Sequence, residues 1–450
     1  MGLEICAIGG FEYVGNNMVA IKSGEDVFIF DAGVSLPALI ELQGKEPFQI
    51  HSEAQLRNSK AIPNDLVLDK LGWTDKVRAI FIGHAHLDHV GAIVSIIHRY
   101  PNAVIMGTAF TIHFLETLYK DKKTYIANEL KIVEPDSSHK IVGKSGTSTI
   151  DFIHITHSTI QCSTLALHTK DGTVCYAVDF KFDDTPVMGP PPNYKKLKEI
   201  GKKGVKVLII NSLSSGEEGR SLSEAYARDL LDKTISSLKN DKAALFISTF
   251  SSQISRLKSI VDMGKKTGRQ IIFLGWSMEK YTDSALKSGM CPFRNQIKVI
   301  RYRNQVNALL RKVQKNRERY LIVCTGHQAE QNSILDRITK GATPFMFKPG
   351  DDLIFASRVI PVKDNIAARK KMDAIIKKQG VIIHDNVHSP GHGREEDVEM
   401  MTRMIKPEYI IPTHGFPKQE QPMVEIAKKL GYKEGKTVFL TKDGNLLKFG

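Results

Sequence analysis

At 450 residues the chain is too long for one small core, so two domains are expected, and a hydrophobic content of 42% excludes a disordered or fibrous chain. No stretch approaches the roughly 18 uninterrupted apolar residues that cross a bilayer, and the opening MGLEICAIGGFEYVGNN lacks a basic segment leading into an apolar one, so a soluble cytoplasmic protein without membrane attachment is expected. Lys plus Arg number 63 against 49 Asp plus Glu; the resulting +14 attracts polyanions and equally serves plain solubility, so it favours nucleic acid as a partner without locating a site.

In chain order, LEICAIGG, NMVAIKSG and DVFIFDAG are apolar runs closed by glycine and predict strands with turns. The signal returns at VRAIFIG, AVIMG, KIVE, STIDFIHIT, TLALHTKDGTVCYAVDF and VKVLIINS, and Asp171-Gly172 between two alternating runs predicts a hairpin. Such a strand-rich region followed by intermittent helices predicts sheets covered by helices. From about residue 216, helical stretches (SLSEAYARDLLDKTISSLKN, SSQISRLKSIVDMGKKTG, NQVNALLRKVQK) alternate with strand-like AALFIST, QIIFLG, RYLIVCTG and PFMFKPG, the pattern of an α/β domain with a mainly parallel sheet. After residue 361, MDAIIKKQGVIIHDN, DVEMMTRMIKPEYIIPTHG and TVFLTKDGNLLKFG return to short strands and helices, compatible with one domain inserted into another. The cysteines Cys6, Cys162, Cys175, Cys291 and Cys324 are odd in number and widely spaced, and read as reduced core residues.

The segment FIGHAHLDHVGAIVSII, residues 81–97, places His84, His86, Asp88 and His89 between two apolar runs, a costly position unless something satisfies these groups. Side chains two apart on an extended segment share a face, so His84 and His86 can converge on one metal ion while the following turn aims Asp88 and His89 at a second. Imidazole nitrogen and carboxylate oxygen both suit zinc. Further ligands should sit at other strand ends, and Asp31 in FIFDAG, His157 in IHITHST, Asp179 in YAVDF and His414 in YIIPTHG each follow an apolar run.

This His-x-His-x-Asp-His pattern, with a later histidine, a later aspartate and a C-terminal histidine, resembles the metallo-β-lactamase superfamily of two-metal hydrolases. The resemblance implies His84, His86 and His157 on one zinc, Asp88, His89 and His414 on the other, Asp179 bridging, and Asp31 supporting the histidines. The landmarks LIINSLSSGEEGRS, FISTFSSQISRL, CTGHQAEQNSILDRI, DDLIFASRVIPVKDN and VHSPGHGREEDVEMMTRMIKPEYIIPTHG resemble the β-CASP nuclease group, most of all ribonuclease J of the archaeal type. That implies an α/β fold, a metallo-β-lactamase αββα sandwich over 1–215 and 361–450, with a β-CASP α/β domain inserted at 216–360. It also implies a zinc-dependent ribonuclease acting on single-stranded RNA in RNA processing or degradation. The expected mode is mainly 5′-to-3′ exonucleolytic with 5′-monophosphate preference and two-metal activation of water, some members also cutting internally, and with manganese as a substitute on reconstitution and a homodimeric assembly.

Three departures from the family pattern stand out: Asn211 in IINSLSS replaces an acidic residue, His327 in CTGHQAEQ replaces a smaller one, and HSPGH alters the usual His-x-Ser-Gly-His order while keeping His388 and His392. Under the resemblance His392 stabilises the phosphate or protonates the leaving oxygen, His388 contacts phosphate, and Asp88 orients the attacking hydroxide besides binding metal. For the 5′ phosphate, Ser248, Thr249, Ser251 and Ser252 precede a helix that carries Arg256, and Ser357, Ser389 and Gly391 could complete a pocket. Capping of that helix by Ser251 or Ser252 is an equally good reading of the bare sequence. Trp276 in LGWSMEKY is a candidate base-stacking platform, with core packing the commoner role. Two other readings stay open: an RNA endonuclease resembling polyadenylation factors, and a non-catalytic RNA-binding subunit. DNA also stays open as a substrate, because phosphodiester hydrolysis does not itself require the 2′-hydroxyl.

Overall fold

The computed structural model describes residues 2–45, 51–360, 363–385 and 387–450. It separates into two compact units, one made of Met1–Asp184, Pro191–Ser221 and Gly391–Gly450, the other of Thr185–Pro190 and Leu222–Pro390. In the first unit the strands are β1 (Leu3–Gly9), β2 (Met18–Ser23), β3 (Asp26–Phe30), β4 (Val77–Phe81), β5 (Val104–Thr108), β6 (Leu130–Val133), β7 (Ser137–Gly143), β8 (Gly146–His154), β9 (Ser163–Thr169), β10 (Gly172–Ala177) and β11 (Val205–Asn211). The second contributes β12 (Leu245–Ser248), β13 (Gln270–Leu274), β14 (Lys298–Ile300), β15 (Tyr320–Cys324), β16 (Asp352–Phe355) and β17 (Ile382–His384), after which β18 (Pro407–Thr413) and β19 (Leu446–Phe449) rejoin the first.

Two sheets face each other in the first unit, ordered β19-β1-β2-β3-β4-β5-β6 and β18-β11-β10-β9-β8-β7. Their inner faces supply one core, in which Phe28, Phe30 and Phe81 meet Phe152, Leu165 and Tyr176. The Phe30 and Tyr176 rings lie 5.1 Å apart and Phe81 meets Phe152 edge-on at 6.4 Å. Burial of each such ring stabilises by roughly 1.5–3 kcal/mol. The helices Tyr194–Lys203, Glu395–Ile405 and Pro417–Lys429 cover the outer face of the second sheet through Leu197, Ile200, Val398, Met401, Met423 and Val424. The predicted hairpin is β9–β10, antiparallel with Thr169 opposite Gly172, whose φ of +135° suits glycine alone. Strands β3, β4, β10, β11 and β18 are parallel to a neighbour, and the chain leaves all of them from the carboxyl end into the segments that carry Asp31, His84 to His89, Asp179, Asn211 and His414.

The second unit is built on an all-parallel sheet, order β14-β13-β15-β12-β16-β17. Its strands are apolar without alternation because helices cover both faces. Pairing of β17 with β16 keeps the helix Lys363–Lys378 and residues through His384 in this unit, so the return to the first unit falls well after residue 361. The run PFMFKPG forms no strand: Phe345 and Phe347 bury their rings against Phe246 at 4.9 and 5.2 Å, and the backbone amide of Met346 donates to the Gln314 side chain rather than to a ladder. All five cysteines are buried and unpaired, as expected. Among the described residues no helix is long and apolar enough to cross a membrane.

Candidate metal centre

Asp31 closes β3 with a left-handed φ of 56° and is fully buried. Its Oδ1 accepts from the backbone amide of Gly83 at 2.8 Å, which fixes the loop leading into His84, and its Oδ2 lies 2.7 Å from His89 Nδ1. A carboxylate there holds a ring hydrogen on Nδ1 and turns Nε2 toward the site. The turn carrying Asp88 is packed tightly: a Cβ on Gly33 would lie 1.6 Å from the Asp88 carbonyl oxygen, so DAG admits only glycine at its third position.

The same device recurs around the site. His157 Nδ1 donates to the Gly391 carbonyl at 2.7 Å, and His414 Nδ1 donates to Asn17 Oδ1 at 2.9 Å. His157, His89 and His414 therefore all present Nε2 inward. His84, His86, His157 and Asp179 each offer one ligand atom within 4.8 Å of one another, and so do Asp88, His89, Asp179 and His414. In the first group His84 Nε2 and His86 Nδ1 lie 3.0 Å apart, His157 Nε2 and His86 Nδ1 3.2 Å, and Asp179 Oδ2 lies 3.5 Å from His84 and 3.3 Å from His157. Donors held tetrahedrally at about 2.0–2.1 Å from one ion sit roughly 3.3 Å apart, so these edges fit a divalent ion such as zinc. The second group is a little wider: His89 Nε2 is 3.3 Å and His414 Nε2 3.6 Å from Asp179, and they are 3.7 and 3.9 Å from Asp88 Oδ2.

At four of the five histidines electrostatics agree with ligand duty. Burial pushes His84 and His157 well below the ordinary imidazole pKa, lowers His414, and takes His86 down to about 4, which keeps those rings neutral and able to donate a lone pair. At His89 burial works the same way, but Asp179, Asp31 and Asp88 outweigh it and raise the pKa well above the usual value. Asp179 is the converse: burial opposes its charge, yet His414, His392, His89 and His157 hold it well below the carboxylate range.

Asn211, standing where the family pattern has an acid, is completely used. Its Oδ1 accepts from the backbone amide of Leu213 at 2.8 Å, and its Nδ2 donates to Asp179 Oδ1 at 3.0 Å and faces His392 Nδ1 at 3.1 Å. Both ends of the amide are thus assigned by unambiguous partners. Two donors cannot face each other, so His392 carries its ring hydrogen on Nε2. Asp179, at 3.7 Å, is too far from that ring to take over the contact.

The residues expected to contact RNA phosphate fall into two groups. Ser248, Thr249 and Ser357 sit at the carboxyl ends of β12 and β16, all buried, with Thr249 Oγ1 2.9 Å from Ser357 Oγ and the Ser248 hydroxyl without a partner among the described residues. Ser251 and Ser252 are also buried, and the helix Ile254–Gly264 starts after Gln253, so neither serine caps it. Arg256 requires a correction. It is fully buried, with Nε and Nη2 on the Glu224 carboxylate and Nη1 on the carbonyls of Ala356 and Val387, so the guanidinium is an internal strut with no face for phosphate. Ser389 is likewise committed, its hydroxyl donating to the Leu222 carbonyl, and the Gly391 carbonyl is the acceptor that orients His157. A Cβ on Gly391 would come within 2.9 Å of His157 Cε1, which explains glycine there without a phosphate. His388 and Ser389 belong to the second unit, Gly391 and His392 to the first. Trp276 is exposed, contrary to core packing.

Asn17 escaped the sequence reading. Buried, it accepts from His414, donates to the Asp88 carbonyl at 3.0 Å and lies 3.1 Å from His89 Nε2. An asparagine in VGNNM carries no spacing signal, and its partner is 397 positions away.

Residues 242–375 match the family model for the ribonuclease J β-CASP domain, and residues 13–197 match the metallo-β-lactamase superfamily. The chain is 37% identical over 446 residues to ribonuclease J of Pyrococcus abyssi, an alignment covering 99% of this chain and 97% of that protein. The chain belongs to the ribonuclease J family. Ribonuclease J of Methanocaldococcus jannaschii is 35% identical over 451 residues, covering 100% of this chain and 99% of that one. Ribonuclease J of Helicobacter pylori is 31% identical over 458 residues, covering all of this chain but 61% of the longer relative. A crystal structure of a protein of unknown function from Enterococcus faecalis V583 shares the fold along both chains, with a TM-score of 0.65 at 16% identity. The metallo-β-lactamase fold of this family implies use of divalent metal, and the two donor groups meeting at Asp179 are where this ribonuclease J family member could hold it.

Proposed function

We propose that the chain, a metal-dependent ribonuclease by its family, holds two zinc ions per subunit and degrades or processes single-stranded RNA mainly from the 5′ end, preferring a 5′-monophosphate. The observation that carries this reading is the pair of donor groups sharing Asp179 in a chain of this family. His84, His86 and His157 with Asp179 would hold one ion, and Asp88, His89 and His414 with Asp179 the other. Zinc is favoured over magnesium because imidazoles dominate both groups, and manganese is the substitute to try on reconstitution. Bound there, the ions supply charge neutralisation at the phosphate and acidify water.

The chain's own groups supply positioning and protons. Asp31, Asn17 and the Gly391 carbonyl keep His89, His414 and His157 in one tautomer each, so the donor set is organised before substrate arrives. His392, with its hydrogen on Nε2, is suited to donate to a phosphate oxygen or the leaving oxygen; Asp88, more exposed than the shared Asp179, is suited to orient the attacking water. Buried hydroxyls of Ser248, Thr249 and Ser357, with Ser251, Ser252 and His388, are our candidates for the 5′ phosphate. A homodimer in the cytoplasm completes the reading.

A time course on singly 5′-labelled and singly 3′-labelled RNA with matched DNA tests it. We expect labelled mononucleotide from the 5′-labelled strand from the first time point, faster for 5′-monophosphate than for triphosphate or hydroxyl ends. Discrete internal fragments, or cutting of circular RNA at equal rate, would replace the exonuclease by an endonuclease. Replacement of His392 by alanine should lower turnover far more than RNA affinity; equal losses reject its role as donor.

A further inference from the structure

We propose that Trp276 and Tyr302 form a base-stacking platform for single-stranded RNA on the second unit, flanked by cations that hold the RNA backbone. Trp276 opens the helix Trp276–Lys287 just after β13, and Tyr302 caps the helix Arg303–Lys315 just after the neighbouring strand β14. Two adjacent parallel strands thus deliver an aromatic ring each to the same carboxyl edge of the sheet. The ring centroids are 6.1 Å apart, and the side chains are 43% and 45% exposed. Trp73, by contrast, is 3% exposed, as a packing tryptophan should be.

Arg301 joins the two rings. Glu279 anchors it at 2.8 Å, and its guanidinium carbon lies 4.9 Å from the Trp276 ring and 4.2 Å from the Tyr302 ring. The two rings meet edge-on, 64° between their planes, and Arg301 lies against both and donates to the Tyr302 hydroxyl, so one anchored cation ties the pair together and lowers the ordering cost of presenting them to a ligand. Further cations stand nearby. The Lys280 ammonium is 5.9 Å from the Trp276 ring, and Arg303 is exposed beside Tyr302. Arg337 has a buried Nε without a hydrogen-bond partner among the described residues, and burial together with the Arg303 charge disfavours its cation.

Aromatic faces in solvent with cations crowded against one another call for a partner with flat apolar surfaces and regular negative charge. Single-stranded RNA offers both, since its bases are free to splay and every linkage carries a phosphate. A duplex hides its base faces and fits less well. This inference rests on the reading of the protein as a ribonuclease of single strands and specifies where the strand lies on it.

The sequence contains two tryptophans, of which Trp276 is the exposed one, so intrinsic fluorescence reports on this site directly. The metal-loaded full chain would be titrated with a phosphorothioate RNA of roughly 16 nucleotides, long enough for a single-strand binding surface and resistant to cleavage. We expect saturable quenching that is absent from Trp276→Leu, affinity about 5- to 150-fold weaker for Trp276→Ala and Tyr302→Ala, and near-native affinity for Trp276→Phe. A matched RNA duplex should quench much less. Wild-type RNA binding without quenching, with both alanine variants binding normally, overturns the platform while leaving the ribonuclease reading intact if unmodified RNA is still hydrolysed. Failure of wild type either to bind or to hydrolyse RNA overturns both. Equal quenching by duplex and single strand overturns the stacking mode.

Discussion

His414 in the first unit and His327 in the second are almost equally buried, yet they are opposite kinds of histidine. His414 has its Nδ1 hydrogen taken by Asn17 and its Nε2 facing Asp88 and Asp179. His327 meets the Phe250 ring edge-on at 4.0 Å, and neither ring nitrogen has a hydrogen-bond partner among the described residues. Burial lowers the pKa of both, and for His327 burial with the nearby Arg369 takes it to about 3. The difference teaches that a buried histidine reads as a ligand through the acceptor behind it and the carboxylate in front, while burial alone describes both. Four substitutions break or sharpen the contrast.

The largest effect is expected at the shared carboxylate. Replacing Asp179 by alanine takes one donor from each group and leaves five inward-facing imidazoles without their common anion, so turnover should fall on the order of 10³-fold or more. Elemental analysis should show lost metal alongside lost activity; full occupancy with full activity would remove the site as drawn.

Next is Arg256, read from sequence as a phosphate contact and found as a buried partner of Glu224. Substitution by methionine takes the cation from that carboxylate and should cost about 3–5 kcal/mol of stability, measured by denaturant unfolding. An unfolding midpoint unchanged alongside weakened RNA binding would restore the phosphate role.

Asn17→Ala should weaken metal affinity by roughly 10- to 100-fold, measured by chelator competition, because it frees the His414 ring to rotate. Wild-type affinity would show that Asp88 and Asp179 alone set the ring.

The smallest effect separates the two histidines by pH. The folded-state pKa of His327 lies below its unfolded value, so the unfolded chain binds more protons as pH falls from 6.5 toward about 3, and stability drops with it. Between pH 6.5 and 5 this amounts to about 2 kcal/mol, at roughly 1.4 kcal/mol per pH unit. His327→Phe, which keeps a ring against Phe250, should unfold with a correspondingly flatter pH dependence and equal or greater stability at pH 7; an unchanged slope would mean the ring is protonated in the folded protein.

What was readable in the sequence follows from how local each signal is. The candidate ligands His84, His86, Asp88 and His89 lie within one strand exit, and Asp31, His157, Asp179 and His414 each trail an apolar run, so strand periodicity and residue chemistry together single out residues that the structure brings close. The alternation of strands and helices after residue 216 likewise foretold a parallel sheet. Arg256 was misread because serines before a helix suggest an anion site, whereas its partner Glu224 lies 32 positions upstream on another helix. Asn17 and the Gly391 carbonyl act through a histidine 397 and 234 positions away, and a backbone oxygen has no residue type to read. PFMFKPG has the composition of a strand, but its two rings are drawn to Phe246 and its backbone finds no ladder.

The pairing of β1 with β19, Leu3 opposite Phe449, and of β11 with β18 across the whole second unit imposes an order on biosynthesis. Strand β1 waits for β19, roughly 20 to 90 s at ordinary elongation rates for the stretch between Leu3 and Phe449, with that sheet edge bare and, for most of the interval, His414 still untranslated. The second unit, whose strands are consecutive in the chain, can close during that interval, so the nascent protein gains its inserted sheet before it can assemble the candidate metal centre.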